Sequence, residues 1–291
     1  MKKLSKILVC SLVAAATICT AGLAACNNSE SITIAVARGA SSGTREVFEE
    51  KVVNTDGTAL GSLTSLASCV VECESTGSAI TTVANSKNAI AYVSYGSVAS
   101  SSSIKAVSLD GVECNATTIK DGSYEISRPF NLIYQSYDNL TDAAKDFISY
   151  IESSEGQAII SEEYVTIDSV ANSATSYTAT SATGSVSLVG STSVQPLMES
   201  LAAAYMKVNS NITVTVAGGG SGTGVSSAQS DTTGAVIGMA SRGLKSSETG
   251  VVSREIAYDG VAIIVNSECS LTNVTIQQLY DLYANGTAIE V

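Results

Sequence analysis

Two glycine- and hydroxyl-rich stretches carry the residue types that could hold an anion. Gly218-Gly219-Gly220-Ser221-Gly222-Thr223-Gly224 lies between an alternating run, Ile212 to Val216, and a short helix-compatible segment. Without a Cβ, such a backbone can turn several N–H groups toward one point, and Ser221 and Thr223 add hydroxyl donors. A loop of this kind entering a helix suits an anion; the plainer reading is a linker. The second stretch is Arg38-Gly39-Ala40-Ser41-Ser42-Gly43-Thr44-Arg45. It follows a weakly alternating strand pattern over 32–37 and precedes a helical pattern from Glu46 to Val52. A strand that ends in small residues at a helix start presents free N–H groups and a favourable dipole. Arg38 is either the cation of such a site or half of a surface ion pair, and its position directly before the hydroxyls favours the site. Two such loops suggest two walls of one oxyanion site.

These loops need a scaffold, and the chain is long enough for two lobes: 291 residues, with 14% charged. The formal net charge is −12, and removing residues 1–25 takes away Lys2, Lys3 and Lys6 but no acid. So negative a surface argues against nucleic acid and against an anionic membrane face. It also repels anions at long range, so an anion site must rely on local donors. There is no His, which excludes imidazole-based metal sites and Ser/His/Asp or Cys/His catalysis within this chain.

Residues 1–25 read as an export signal, with lysines at the start and a short apolar core from Ile7 to Thr20. Leu23-Ala24-Ala25-Cys26 resembles the lipobox of bacterial lipoproteins, which makes Cys26 the acylated first mature residue and 26–29 a tether. The mature protein is therefore expected to be lipid-anchored at the extracellular face of the plasma membrane. Of the remaining cysteines, Cys69 and Cys73 are close enough in sequence to pair, while buried free thiols are the alternative for these two and for Cys114 and Cys269. The spacing of the four lacks the two close pairs of a metal site.

Along the chain, strand–loop–helix units recur. Residues 53–75 read as a polar surface excursion, Gly77 to Asn85 as a helix, and Ala89 to Ser94 as a buried strand. Ser97 to Ser103 suits a hinge, a β-rich piece runs from Ile104 to Phe130, and Thr141 to Ile151 is an amphipathic helix capped by Thr141. Residues 169–185 are almost all Ser, Thr, Ala, Gly and Asn, and read as a linker. A strand at 187–189 then leads into Gly190-Ser191-Thr192-Ser193 and a helix from Pro196. Strand patterns at 235–240 and 256–265 and a helix at 275–283 complete the order. The fold class is α/β, and ligands of open α/β sheets sit beyond the carboxyl ends of the strands, where these loops fall.

Several motifs together resemble the phosphate-binding proteins of bacterial phosphate ABC transporters. They are Gly190 to Pro196, Gly218 to Gly224, Gly238-Met239-Ala240-Ser241-Arg242, Asp259 to Asn266, and Arg38 to Arg45; Asn88 to Gly96, Ser127-Arg128-Pro129 and 146–157 fit as well. The resemblance spans nearly all of the mature chain. The order departs from the family's, in which the segment matching Arg38 to Arg45 follows the helix matching 275–283. The chain thus resembles a circular permutant joined through 169–185.

The resemblance implies a periplasmic-binding-protein-like fold of two lobes closing on a ligand. One lobe would be 104–266, and the other 30–103 completed by 267–291, which requires the chain ends to meet. It implies donors at Ser42, Gly43, Thr44, Ser191, Thr192, Ser193, Ser221 and Ser241, with Arg38 as the charged contact. It implies a monomeric receptor that passes inorganic phosphate to the permease subunits of an ABC transporter, with no cofactor, no metal and no catalytic residue. Ser241 stands where some members have an aspartate that accepts the proton of hydrogen phosphate, and Ala40 where others have one beside the arginine. Another tetrahedral oxyanion, such as sulfate or molybdate, and a non-transport phosphate-sensing role are the alternatives. Arg242 either reaches the site or braces its loop.

Overall fold

The computed structural model describes residues 31–291; the expected signal 1–25, Cys26 and the tether 26–29 lie outside the described residues. The chain starts with β1 (Ser31–Ile32) and β2 (Ile34–Arg38), followed by α1 (Gly43–Lys51). Helix α1 begins before the apolar pattern because the Ser42 side chain accepts the Arg45 N–H and caps it. The supposed surface excursion contains β3 (Val70–Cys73), and α2 (Thr76–Ala84) follows through a capping box of Ser75 and Ser78. Next come β4 (Ala89–Ser94), β5 (Ile104–Leu109), the short α3 (Ala116–Lys120) and β6 (Ser127–Tyr134). Three helices follow: α4 (Asp142–Glu152), capped by Thr141 as expected, α5 (Ser154–Glu163) and α6 (Asp168–Ala171).

The second half alternates β7 (Gly184–Gly190), α7 (Gln195–Val208), β8 (Ile212–Gly218), α8 (Ser221–Ser230) and β9 (Val236–Ala240). It closes with β10 (Val252–Asn266), β11 (Asn273–Val274), α9 (Ile276–Asn285) and β12 (Ile289–Glu290).

The main sheet runs β3-β2-β4-β10-β6-β9-β7-β8, with β5 on β10 and β11 on β5. One strand is shared by two cores. The first half of β10 pairs with β6 from Val252 to Gly260, and from Val261 onward it pairs with β4 and β5. Phe130, Phe147, Leu188, Leu201, Ile237 and Ala257 pack in one apolar cluster. Phe48, Tyr92, Val107, Tyr124, Ile263 and Tyr283 pack in another. Inside the latter, Phe48 and Tyr92 stack with centroids 3.9 Å apart, and Tyr283 leans on both. Truncating such a buried aromatic costs about 3–5 kcal/mol.

This packing moves the expected division at 103/104 and 266/267. Strand β5 pairs Ile104 with Asn266 and Val107 with Ile263, and Ile119, Tyr124 and Ile126 enter the same core. Residues 104–126 therefore side with 31–103, and the chain crosses between lobes at Ile126/Ser127 and at Gly260/Val261. The expected hinge at 97–103 is instead a connection from β4 to β5 within one lobe, with Ser97 buried. Strands β1 and β12 pair antiparallel, Ser31 opposite Glu290, so the two ends of the described chain meet.

The linker over 169–185 starts with the end of α6 and stays irregular to Thr183, but it is not loose. Tyr177 sets its ring edge-on to Tyr150 and donates its hydroxyl to Asp146 Oδ2 at 2.6 Å. Ser154 N–H also donates to the Thr175 carbonyl. One aromatic anchors what composition alone reads as untethered. All four described cysteines are free thiols. Strand β3 runs extended between Cys69 and Cys73, so at about 3.3 Å per residue their Cα atoms stand beyond the roughly 7 Å reach of a disulfide. Among the described residues no helix is long and apolar enough to cross a membrane.

Candidate functional site

The site forms where parallel strands end. Strand β2 is parallel to β3 and β4, and β7 is parallel to β8 and β9, so their carboxyl ends and the helix starts that follow face one cleft. Helix starts α1 and α2 are capped by Ser42 and Ser75, whereas α7 and α8 begin at Val194 and Gly220 without a side-chain cap. Uncapped first-turn N–H groups and the dipole of each helix favour negative charge there.

Arg38, at the end of β2, is 1% exposed, and its backbone N–H is fixed by the Tyr92 hydroxyl at 3.1 Å. Its Nη1 donates to Thr76 Oγ1 at 2.9 Å. Its Nη2 donates to Thr192 Oγ1 at 2.7 Å, on the other lobe, and to the Glu74 carbonyl at 3.2 Å. Its Nε has no partner. No carboxylate among the described residues hydrogen-bonds this guanidinium, and burial lowers its pKa to about 10. A buried cation surrounded by neutral acceptors is costly unless an anion joins it.

The other expected residues converge on the same cleft. Thr44 Oγ1 lies 2.9 Å from Ser193 Oγ, joining α1 to the start of α7. Ser191 Oγ donates to Ser241 Oγ at 2.9 Å, and Ser221 Oγ lies 3.3 Å from Ser241 Oγ. Gly43 fits between the lobes because it has no side chain: a Cβ there would lie 2.5 Å from Ser221 Oγ and 3.1 Å from Ser241 Oγ. Ser42 beside it is buried, its oxygen already accepting from Arg45.

The glycine loop works differently from the expected anion nest. The N–H groups of Gly219 and Gly220 both donate to the Gly190 carbonyl, and that of Gly222 donates to Ser41 across the cleft. Thr223 is exposed and bonds back to Gly219. Ser221 is thus the contribution of this loop, and its glycines serve close packing. Gly220 takes φ +89°, and a Cβ there would strike Ser41.

Two participants were not expected. Thr76 contacts Arg38, Thr192 (3.3 Å) and Ser193 (3.3 Å). Its signal is the same strand-to-helix hydroxyl pattern, hidden because the preceding strand lacks clear alternation. Arg128 is buried and donates Nε and Nη2 to Asp259 Oδ2 at 3.1 and 3.0 Å, and Nη1 to Ser241 Oγ at 3.3 Å. Burial lowers its pKa and raises that of Asp259, each against the pull of the other. The pair is neutral overall, so Arg38 supplies the uncompensated charge. Arg242 turns away from the hydroxyls: Nη1 and Nη2 each lie 2.7 Å from the Glu248 carboxylate, and Nε lies 2.7 Å from Glu46 on α1.

Comparison with known proteins follows this geometry. A family model described as a PBP superfamily domain matches residues 27–155 and 175–289. Phosphate-binding protein PstS 2 of Streptococcus pneumoniae serotype 4 is 36% identical over 274 residues, 90% of this chain and 91% of that protein. The protein of the same name from Streptococcus agalactiae serotype V is 37% identical over 216 residues, 73% of this chain and 71% of its own length. A crystal structure of a phosphate ABC transporter, phosphate-binding protein from Streptococcus pneumoniae superposes with a TM-score of 0.66 at 34% identity, covering 89% of this chain and 97% of that one. The alignment with the pneumococcal protein runs through nearly the whole of both chains, so this order of segments is shared with that relative.

Proposed function

The chain belongs to the PBP superfamily and, within it, to the phosphate-binding proteins of ABC transporters, and on that footing we propose that it captures inorganic phosphate outside the cytoplasm for an ABC importer. The observation that carries this reading is Arg38, a buried guanidinium held by hydroxyls from both lobes and hydrogen-bonded to no carboxylate among the described residues. A tetrahedral oxyanion completes it. The anion receives paired hydrogen bonds from Arg38 and single ones from Ser42, Thr44, Thr192, Ser193, Ser221 and Ser241, with Ser191 orienting Ser241 and the N-terminal turn of α1 at Gly43 adding backbone donors. Because these groups come from two lobes, the anion gains its full set of contacts only when the cleft closes, and binding drives closure.

The reading includes a lipid anchor on Cys26 that keeps a monomer near the permease subunits, after removal of residues 1–25. In this reading the protein is a receptor that takes up and releases its anion chemically unchanged, through a cluster of serine and threonine hydroxyls hydrogen-bonded to one another.

Calorimetric titration of the anion-free protein with phosphate tests the proposal. One-to-one binding that disappears in Arg38→Gln supports it. Absence of heat and of thermal stabilisation in the unaltered protein overturns it.

A further inference from the structure

Where α5 ends, the two lobes meet along a seam that holds two buried hydroxyls with nothing to bond. Tyr164, directly after α5, is 4% exposed, and Ser97, in the connection from β4 to β5, is 5% exposed. Neither hydroxyl oxygen has a hydrogen-bond partner among the described residues. The Ser94 hydroxyl beside Tyr164 is given to Asp259 Oδ1 at 2.8 Å and makes no hydrogen bond with the tyrosine.

The two hydroxyls belong to different lobes. The Tyr164 ring packs in the cluster of Phe130, with centroids 5.3 Å apart. Tyr95 and Val98, which flank Gly96 and Ser97, pack against the cluster of Phe48 and Tyr92. Val165, the very next residue after Tyr164, already enters that second cluster, so the chain also passes between the cores here. It is pinned to β10 at this point, because Val165 and Tyr258 exchange N–H···O=C bonds of 3.0 and 2.8 Å.

The fit across the seam is close. A Cβ on Gly96 would lie 2.4 Å from the Tyr164 ring and 2.7 Å from its hydroxyl oxygen, so the phenol rests directly on the glycine backbone. Beside this contact a groove of about 790 Å³ runs between the lobes, with Gly96, Ser97 and Ser100 on one wall and Glu163, Gln195 and Glu199 on the other. A seam that widens as the lobes part opens onto this groove. A buried hydroxyl without a partner is costly, and hydration removes the cost.

We infer that Tyr164 and Ser97 set the receptor's affinity from this seam: their hydroxyls are dry and unpaired when the lobes are closed and hydrated when they part, so they oppose closure and speed release of the anion. The inference rests on the reading of the protein as a receptor whose lobes close on phosphate, and it adds no contact to the anion. Apparent affinity falls with the fraction of ligand-free protein that reaches the closed form. A cost borne by that form alone therefore weakens binding without touching the ligand.

The experiment compares the parent with Tyr164→Phe, Ser97→Ala and Gly96→Ala. Calorimetry of the anion-free protein gives the phosphate Kd, and radiolabelled phosphate chased by unlabelled phosphate gives the release rate. Urea unfolding without phosphate gives the stability of each. Tyr164→Phe keeps the ring and removes only the hydroxyl; it is expected to tighten phosphate about 10-fold, chiefly through slower release. Ser97→Ala is expected to act in the same direction by about 3-fold or more. Gly96→Ala drives a methyl into the closed seam and is expected to weaken phosphate by about 10-fold or more, with little change in ligand-free unfolding.

A purely structural role for the tyrosine gives a different pattern. A hydroxyl that is dry in both forms gives Tyr164→Phe a higher unfolding midpoint and an unchanged Kd, and a hydroxyl that supports closure gives it weaker binding. Either result overturns the inference. Failure of the parent to bind phosphate removes the receptor reading and this inference with it, whereas an unchanged Kd in the variant removes the inference alone.

Discussion

Thr76 and Thr192 place their hydroxyl oxygens 3.3 Å apart across the cleft, and each accepts a hydrogen bond from a different nitrogen of Arg38. Both partners are neutral, so the guanidinium bridges the lobes without being neutralised. Stability and binding therefore pull in opposite directions at this residue. Arg38→Met is expected to leave the anion-free protein as stable as before or more so, since a desolvated charge disappears. The same variant is expected to lose about 3 kcal/mol of anion binding, on the order of 100-fold in Kd. Thermal melts with and without phosphate check both halves: the ligand-free midpoint holds or rises while the phosphate-induced shift vanishes.

Gly43 separates closure from folding in a second way. It lies in the first turn of α1 with ordinary helical backbone, not among the positive-φ glycines, so alanine suits its conformation. Its missing Cβ would lie 2.5 Å from Ser221 Oγ, 3.0 Å from Arg242 Cγ and 3.1 Å from Ser241 Oγ, all on the facing lobe. Gly43→Ala is expected to preserve or raise stability by up to about 1 kcal/mol while weakening phosphate by about 10- to 100-fold. Urea unfolding alongside titration reads the two effects independently; an unchanged Kd would mean the lobes do not need to come this close.

Much of this site is legible in sequence because its signals are local. Hydroxyl-bearing loops after strand patterns stand out at 38–44, 190–193, 218–224 and 241, and the family resemblance picks the individual donors within them. What local pattern cannot show is where a donor aims. The glycine loop has the composition of an anion nest, yet two of its N–H groups serve the Gly190 carbonyl, which belongs to a different strand. Arg128 and Asp259 are 131 residues apart, and only the antiparallel register of β6 on β10, which sets them opposite each other, makes them a pair. The side taken by β5 is hidden for the same reason, because its pairing with β10, distant in sequence, decides which core it joins.

Tyr177 gives a test of the segment that joins the two halves of the chain. Its hydroxyl and that of Tyr205 both donate to Asp146 Oδ2 at 2.6 Å, with Asn209 Nδ2 at 3.0 Å. Burial raises the Asp146 pKa, but these hydrogen bonds outweigh it and the net shift is downward. Tyr177→Ala removes one of the three and the ring contacts with Tyr150 and Tyr205, at a cost of about 2–3 kcal/mol. Limited proteolysis of the variant is expected to cut within 172–183 at low protease, with phosphate affinity unchanged because the segment is remote from the hydroxyl cluster. Cleavage elsewhere, or resistance equal to that of the parent, would show that Tyr177 is not the anchor.

The ionic clasp over the cleft ties closure to salt and to acid. Glu46 on α1 meets Arg242 Nε at 2.7 Å and Lys245 Nζ at 3.1 Å from the opposite lobe, and Arg242 is held by Glu248 within its own lobe. Glu46→Gln removes the attraction between lobes but leaves the anion's own contacts, so phosphate is expected to dissociate about 3- to 10-fold faster. Added salt should speed dissociation from the parent and leave the variant nearly indifferent, since the screened pairs are gone. Glu248 contributes separately to folding. Hydrogen bonds from Arg242 hold its carboxyl below the ordinary range. The folded protein therefore binds this proton less readily than the unfolded chain. The contribution is complete above the unfolded value of about 4.3 and is lost as pH falls through the lower folded one. Being partly solvated, the pair is worth about 1 kcal/mol or less. Denaturant unfolding of Glu248→Gln and its parent should differ by that amount near neutrality and converge in acid; a gap that persists below both values would assign the effect to packing instead of charge.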